Sequence, residues 1–252
     1  MTLTLPMVLI AVVGVFLGSF MDAIAGGGGI ITVPTFLLAG LPMHMALGTN
    51  KLSACIGTVA STGRYIKSSY VNWRLGIPSI VMALGGSALG TLLQLHISEK
   101  YLQYMLLVVL PVVAVVVLRQ RAFPEEPGDI APTTQMAVVL GASLLIGAYD
   151  GFYGPGTGTF LLLIFTRFAK MDVRTASGNV KIVNLSSNLG SAITSILHGQ
   201  VFWALGLIAA VAAFAGHYAG SGLAIKNGSK IVRPVVLIVL VLLTGKVLVG
   251  LF

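Results

Sequence analysis

The fold of this protein is decided by a stretch that occurs twice, as Asp22-Ala-Ile-Ala-Gly-Gly-Gly-Gly29 and as Asp150-Gly-Phe-Tyr-Gly-Pro-Gly-Thr-Gly158. Each copy interrupts an apolar run that would otherwise be helical, and an aspartate precedes each group of glycines. Relative to alanine in a helix interior, glycine costs about 1 kcal/mol and proline about 3 kcal/mol. The sequence therefore predicts two helices broken by an unwound turn, each with a carboxylate beside its break.

The composition identifies the solvent around these helices. Of the 252 residues, 56% are hydrophobic and only 9% are charged, and the mean hydropathy is +0.98. An ordinary soluble domain is about 25% charged, so most of this surface must face lipid. Runs such as 106–118 and 235–243 do not alternate as barrel strands do. With roughly 20 apolar residues needed per crossing, the chain is predicted to be an all-α, polytopic transmembrane helical bundle.

A duplication organises the whole chain. The shift that places Asp22 on Asp150 differs by two residues from the shift that places Lys51 on Lys181, and a short indel after each break explains the difference. Matches that share a register in this way are the mark of an internal repeat. We infer a first transmembrane repeat at 1–122, a linker at 123–134 that is rich in Pro, Glu and Asp, and a second transmembrane repeat at 135–252.

The positive charges indicate that the two repeats are inverted. In the first half, Lys and Arg cluster after the second hydrophobic stretch; in the second half they cluster before the matching stretch, at Arg167, Lys170 and Arg174. Because cytoplasmic loops carry the excess of Lys and Arg, this switch predicts opposite orientations. Inversion requires an odd number of crossings per half. We therefore predict a Gly-broken helical hairpin in each half, at 5–39 and 136–166, followed by three spanning helices, at 46–66, 75–95, 100–119, 176–196, 204–225 and 230–250.

The paired breaks define a candidate anion site at the repeat interface. Free backbone N–H and C=O groups are tolerated in hydrocarbon only where protein or a water-filled cavity satisfies them. A short helix after each break would aim its N-terminal N–H groups at an anion. Lys51 and Lys181, each in an Ala-x-Gly-x-x-Lys pattern, could neutralise the same anion. The candidate substrate-binding residues are Gly26, Gly27, Gly28, Gly29, Asn50, Lys51, Gly154, Gly156, Thr157, Gly158, Lys181 and Asn184.

Each of these groups also has a purely structural interpretation. Glycines permit close helix packing, and lysines at the ends of helices snorkel to the membrane interface. Asp22 and Asp150 either take up a proton or accept hydrogen bonds from the free N–H groups of the break. Asn184 and Asn188 lie one helical turn apart, where they line a cavity or bond neighbouring helices. If the lysines bind the anion, we expect their replacement by Met to abolish binding and to spare the fold.

Other classes of function find little support in the sequence. The four His residues show no metal spacing, and no nucleophile–base set stands out, so neither a bound metal nor an enzyme is predicted. The basic residues lie at the ends of apolar runs without forming a basic face, which argues against nucleic acid as a partner. No Walker-type loop is present, so a gradient-driven transporter without a cofactor is favoured. The alternative is an anion channel, in which the breaks would supply carbonyl groups for conduction.

The two linked motifs resemble those of a known family. Asp22-Ala-Ile-Ala-Gly-Gly-Gly-Gly-Ile-Ile-Thr-Val-Pro34 and Ala46-Leu-Gly-Thr-Asn-Lys51, together with the second-half motif, Lys181 and Asn184, resemble the sulfite/organosulfonate exporter (TauE/SafE) family of permeases, of the toluene sulfonate uptake type. The resemblance covers nearly the whole chain. It implies a multi-pass protein of a bacterial or archaeal inner membrane that transports small sulfur-containing or organic anions, such as sulfite or sulfonates. Coupling to protons through Asp22 or Asp150 is a further expectation.

Overall fold

The computed structural model describes residues 2–102, 104–105, 108, 123–227 and 230, and within these residues the chain is helical and contains no strand. The predicted all-α class is therefore confirmed. Most of the predicted crossing at 100–119, and all but one residue of the predicted crossing at 230–250, lie outside the described residues. Eight helices have their bounds within the described part: α1 (Leu5–Ala25), α2 (Gly29–Leu38), α3 (Met43–Lys67), α4 (Trp73–Leu95), α5 (Pro132–Phe152), α6 (Thr157–Arg167), α7 (Val173–Leu197) and α8 (Trp203–Asn227). Helix α5 begins inside the segment predicted as a linker at 123–134.

Both predicted breaks are present and are narrower than expected. Helix α1 ends at Ala25 and is capped by Gly26, whose φ of 76° is left-handed and whose N–H donates to the carbonyl of Asp22 at 2.8 Å. In the second half, Gly154 and Gly156 adopt φ values of 97° and 88°. Only glycine adopts such angles without a steric cost, which explains its place here. The structure corrects the extent of each break, because Gly29, Thr157 and Gly158 form the first turns of α2 and α6.

The helix after each break is short. Helices α2 and α6 have 10 and 11 residues. At 1.5 Å per residue they are roughly 15 Å long, about half the thickness of a hydrocarbon core. Helix α2 runs back along α1, because Gly14 lies against Thr35 and Gly18 lies against Thr32. The first hairpin therefore has one long arm and one short arm, with Asp22 near its tip.

The remaining helices divide into an apolar set and a polar pair. Helices α1, α4, α5 and α8 are long and apolar enough to cross a membrane, judged by length and composition. Helices α3 and α7 have 25 residues each but carry many buried polar side chains, including Lys51 and Lys181. They pack against each other, and each also packs against an apolar helix, α3 against α8 and α7 against α4. The polar pair thus lies between apolar helices.

The packing of one half is repeated by the other half. Helix α1 packs against α8, and its counterpart α5 packs against α4. The central helices α3 and α7 run antiparallel, because Gly48 lies beside Ser195 and the hydroxyl of Thr62 donates to the carbonyl of Lys181. Antiparallel pairing of equivalent helices supports the inverted repeat. The orientation of the halves in a membrane stays a prediction.

Replacement of glycine at the α4–α5 contact is expected to destabilise the protein. A Cβ atom on Gly90 would collide with the carbonyl oxygen of Ala148, whereas nothing lies within 4 Å of a Cβ on Gly85, on the same helix. Overpacking typically costs about 1–3 kcal/mol, so Gly90→Ala should lower the free energy of unfolding by that order. Thermal unfolding in detergent measures the difference, with Gly85→Ala as the matched control. Equal stability of the two variants would contradict the contact.

Inversion predicts opposite sides of the membrane for the loops that follow α2 and α6. Cysteine can be introduced at Pro42 and at Lys170, both exposed, after the native Cys55 has been replaced by Ser. A membrane-impermeant thiol reagent applied to intact cells should label only one of the two variants. Labelling of both from the same side would show that the halves are parallel.

Candidate functional site

The two breaks meet each other at the centre of the described structure. The N–H of Thr159 donates to the carbonyl of Gly26 at 3.1 Å, and the Thr159 hydroxyl donates to the carbonyl of Ala25 at 2.9 Å. Side chains at Gly26 or Gly158 would collide with the backbone of the opposite break. Glycine at both positions therefore lets two backbones from different repeats touch, so that Thr159 can donate to the first break.

A cavity of about 40 Å³ lies beside this contact. A polar cavity of this volume holds a few water molecules or one small anion. It is lined by the two carboxylates and by most of the residues singled out from the sequence: Asp22, Gly26, Gly29, Asn50, Lys51, Asp150, Gly154, Thr157, Gly158 and Asn184.

Four of the predicted site residues lie outside the lining of this cavity. Gly27 and Gly156 lie within the breaks, and Gly28 turns its N–H toward Asp22. Lys181 lines a second, smaller cavity of about 10 Å³, which shares Gly26 and Gly158 with the first. The contact between the breaks therefore lies between two cavities, with one lysine on each.

Two ion pairs cross between the repeats. Lys51 Nζ lies 2.8 Å from Asp150 Oδ1, and Lys181 Nζ lies 3.0 Å from Asp22 Oδ2. Each lysine thus neutralises the carboxylate that belongs to the other half. A buried charge without a partner is costly in a low-dielectric interior, so each pair depends on both repeats being in place.

Both carboxylates also hold the breaks in shape. Asp22 accepts the N–H of Gly28 at 3.0 Å, and Asp150 accepts the hydroxyl of Thr157 at 2.8 Å. Asp150 accepts a further hydroxyl, from Ser187 at 2.6 Å. The bond from Gly28 is the kind expected if Asp22 stabilises unwound backbone, whereas the Asp150 carboxylate accepts from side-chain hydroxyl groups and not from the N–H groups of its break. The side chain of Asp150 is 7% exposed and that of Asp22 is 19% exposed, so Asp22 is the more open of the two.

The cavity presents donors to a bound ligand. Lys51 Nζ donates to Asn188 Oδ1 at 3.3 Å as well as to Asp150, and an ammonium group has a third hydrogen to offer. Asn184 Oδ1 is buried and has no hydrogen-bond partner among the residues that the structure describes. Because the oxygen and nitrogen of an amide can exchange places by a flip of the side chain, Asn184 can offer either to a ligand.

Several lining residues escaped the sequence-based selection of a site. Ser19, Thr32 and Ser53 are short polar residues without a distinguishing local pattern. Asn188 was recognised as sharing a face with Asn184. His217, on α8, was set aside because it has no metal-ligand spacing. The signal that identifies it is a buried ionisable residue in the interior of an apolar helix, which by default marks a functional position.

The described residues offer no site for a metal ion. Within them, no group of three or more His, Cys, Asp and Glu side chains lies together. The ion pairs at the breaks each combine a carboxylate with an ammonium group, which has no lone pair to give to a cation.

Comparison with known proteins places these observations in context. The family model described as "Sulfite exporter TauE/SafE" matches residues 10–247. A probable membrane transporter protein, ORF9, from Sinorhizobium sp. is 34% identical over 94% of this chain and 90% of its own length. The probable membrane transporter protein YfcA from Escherichia coli is 33% identical over 92% of this chain and 86% of its own length. No solved structure matches the chain.

The crossed ion pairs change what is expected of a lysine substitution. The sequence alone suggested that Met in place of Lys51 spares the fold, but the structure places Lys51 in a buried pair with Asp150. Lys51→Met leaves that carboxylate without its countercharge, so we expect a loss of about 3–5 kcal/mol in the free energy of unfolding.

A second substitution distinguishes the loss of the Lys51–Asp150 ion pair from other effects of replacing Lys51. In the double variant Lys51→Met/Asp150→Asn the uncompensated charge is gone, so most of the loss should be recovered. Thermal or denaturant unfolding of the two single variants and the double variant forms a complete thermodynamic cycle. A double variant no more stable than Lys51→Met would show that the unpaired carboxylate is not the source of the loss.

Proposed function

This chain belongs to the TauE/SafE sulfite exporter family and is a multi-pass membrane transporter, and from that premise we propose that it is a secondary transporter of small sulfur-containing or organic anions, such as sulfite and sulfonates. The observation that carries the proposal is the polar cavity where the two broken helices meet, with Lys51 at its wall. The bacterial relatives favour the inner membrane as its location.

The groups around the cavity suit an anion. Helices α2 and α6 begin beside it, at Gly29 and Thr157, and helix N-termini carry partial positive charge. The free hydrogen of Lys51 and the amide of Asn184 add donors of the kind that sulfite or sulfonate oxygens accept. The small volume of the cavity favours a compact headgroup.

The balance of charge favours coupling to a proton. Two lysines and two aspartates compensate each other in pairs, so the site carries no net charge before a substrate binds. A monovalent anion would leave one uncompensated negative charge in a membrane interior, which is unfavourable. One proton taken up with the anion, at Asp22 or Asp150, restores neutrality.

A carrier accounts for the geometry better than a channel does. The hydrogen-bonded backbone contact between Gly26 and Thr159 lies between the two cavities. A channel needs a continuous conducting path, whereas a carrier exposes its site to one side at a time. Saturation of flux with rising anion concentration supports a carrier, and flux that stays linear supports a channel.

The anion class can be tested by ligand-induced stabilisation of the purified protein. Sulfite and methanesulfonate are expected to raise the unfolding temperature, because a ligand that binds only the folded state stabilises it by mass action. Acetate and chloride serve as comparison anions. No shift with any sulfur oxyanion, at concentrations where acetate gives one, would contradict the proposed substrate class.

The site can be tested with a variant in which charge is conserved. Lys51→Met/Asp150→Asn removes one buried charge of each sign, so it keeps the net charge while removing the ammonium donor at the cavity. We expect its affinity for the stabilising anion to fall at least about tenfold, which corresponds to 1.4 kcal/mol. Lys67→Met, at the exposed end of the same helix α3, is the matched control. Unchanged affinity in the double variant would exclude Lys51 from the site.

A further inference from the structure

We propose that Asp22 and His217 together bind the proton that accompanies each anion, and that the pair of Asp150 and Lys51 keeps its charges throughout the cycle. This inference rests on the proposed function, which leaves open which aspartate binds the proton. It adds His217, which has no matching histidine in the first repeat.

The first step is the difference between the two carboxylates. Asp150 accepts from a lysine and two hydroxyl groups at 2.6–2.8 Å. Asp22 accepts from Lys181 and one backbone N–H, both at 3.0 Å, and its side chain is the more exposed. The carboxylate with fewer and longer bonds, open to the cavity, is the one that a proton can reach and neutralise with the smaller loss of interactions.

The second step is the position of His217. Its side chain lines the cavity and is only 2% exposed, and its Nε2 lies 3.8 Å from Asp22 Oδ2. That separation is longer than an N–H···O hydrogen bond, so the two groups face each other without being bonded. A proton placed between them would allow a short, charge-assisted bond to form.

The third step concerns the other ring nitrogen. Nδ1 of His217 lies 3.1 Å from the hydroxyl of Ser61, which also lies 3.1 Å from the carbonyl of Thr58. A hydroxyl has one hydrogen to donate. When Ser61 donates it to Thr58, Nδ1 must carry its own hydrogen, and Nε2 then turns a free lone pair toward Asp22. In this tautomer the imidazole is a proton acceptor on the side of the carboxylate; when Ser61 donates to Nδ1 instead, Nε2 carries the hydrogen that faces Asp22.

The charged groups around His217 leave Asp22 as its proton partner. From α1 the facing group is Asp22, and Lys181 of α7 lies 3.0 Å from the same oxygen atom of that carboxylate. On α3, Lys51 is held by Asp150. Arg64, also on α3, donates to the carbonyl of Tyr218 and lies over its ring, in an exposed position.

A coupling step follows from these contacts. One proton passes from the cavity to Nε2 of His217 or Oδ2 of Asp22 and is shared between them, so the net charge of the site rises by one. The proton neutralises the Asp22 carboxylate and so weakens its ion pair with Lys181, while the Lys181 ammonium stays bonded to the Asp22 carbonyl. The positive charge of Lys181 is then no longer compensated, and binding of the anion in the neighbouring cavity returns the net charge to its initial value.

Only the second repeat supplies a histidine for this proton site. The position that matches His217 in the first repeat is Ser87, whose hydroxyl donates within its own helix, to the carbonyl of Leu84 at 3.1 Å. No imidazole therefore stands beside Asp150 in the described structure. The stoichiometry expected from this asymmetry is one proton for each anion.

Proteoliposomes with the membrane potential clamped at zero provide the test, with radiolabelled methanesulfonate as the probe because it stays ionised throughout the assay. With the outside one pH unit more acidic, wild-type protein should accumulate the probe toward about tenfold, the limit for one proton per anion. His217→Ser, which installs the residue of the other repeat, and His217→Asn should both give accumulation ratios of about one. His198→Ser, the same change outside the cavity, should keep the wild-type ratio.

The outcomes separate this inference from the function on which it rests. Tenfold accumulation by either His217 variant overturns the inference and leaves the transporter intact. Wild-type protein that exchanges the probe without accumulating it overturns both the inference and proton coupling. If wild-type protein does not transport the probe, the sulfonate assignment fails, and nitrogen NMR of labelled histidine decides the inference. The His217 resonances, assigned by their loss in His217→Ser, should change from neutral-imidazole to imidazolium positions when the protein takes up the proton, and Asp22→Asn should alter that change; a ring that stays neutral at every pH at which the protein is folded overturns the inference.

Discussion

The structure depends on two buried ion pairs that join each repeat to the other. Lys51 and Asp150 form one pair, and Lys181 and Asp22 form the second. The same carboxylates accept hydrogen bonds from the breaks, so the charges that join the halves also hold the unwound turns in shape. An unpaired charge and an unsatisfied backbone amide are both costly in hydrocarbon; Asp22 is paired with a lysine and also accepts a backbone N–H of its break, whereas Asp150 is paired with a lysine and accepts the hydroxyl of Thr157. The cavity lies where the two breaks and their carboxylates come together.

Features governed by local physics were predictable from the sequence. The crossings expected at 75–95 and 204–225 lie within one or two residues of α4 and α8, because hydropathy sets their length. The breaks were predictable because glycine and proline weaken a helix wherever they occur. The pairing of each aspartate with the lysine of the other repeat was not predictable. Each repeat contains both an aspartate and a lysine, and no local feature of the sequence decides which lysine an aspartate pairs with. His217 was missed because a lone histidine in an apolar run has no neighbouring motif or ligand spacing that would indicate a function.

The two polar helices show how a membrane protein keeps a hydrophilic interior. Helices α3 and α7 do not reach the hydropathy of the four apolar helices, because their Asn, Ser, Thr and Lys side chains face inward. Their length of 25 residues still exceeds the roughly 20 needed to cross. Glycine contacts, such as that between Gly90 and Ala148, bring the apolar helices close enough to exclude lipid from this interior. In the part of the chain that the structure describes, polar side chains are thus concentrated on the two helices that face each other at the centre.

The crossed pairing has a consequence for biosynthesis. Asp22 and its partner Lys181 are separated by 159 positions in the chain. At about 5–20 residues per second of translation, Asp22 waits on the order of ten to thirty seconds before Lys181 has been made. During that interval Asp22 lacks the ammonium group with which it pairs in the folded protein. Formation of this ion pair, and with it the joining of the two halves at Asp22, therefore has to follow synthesis of the second repeat as far as α7.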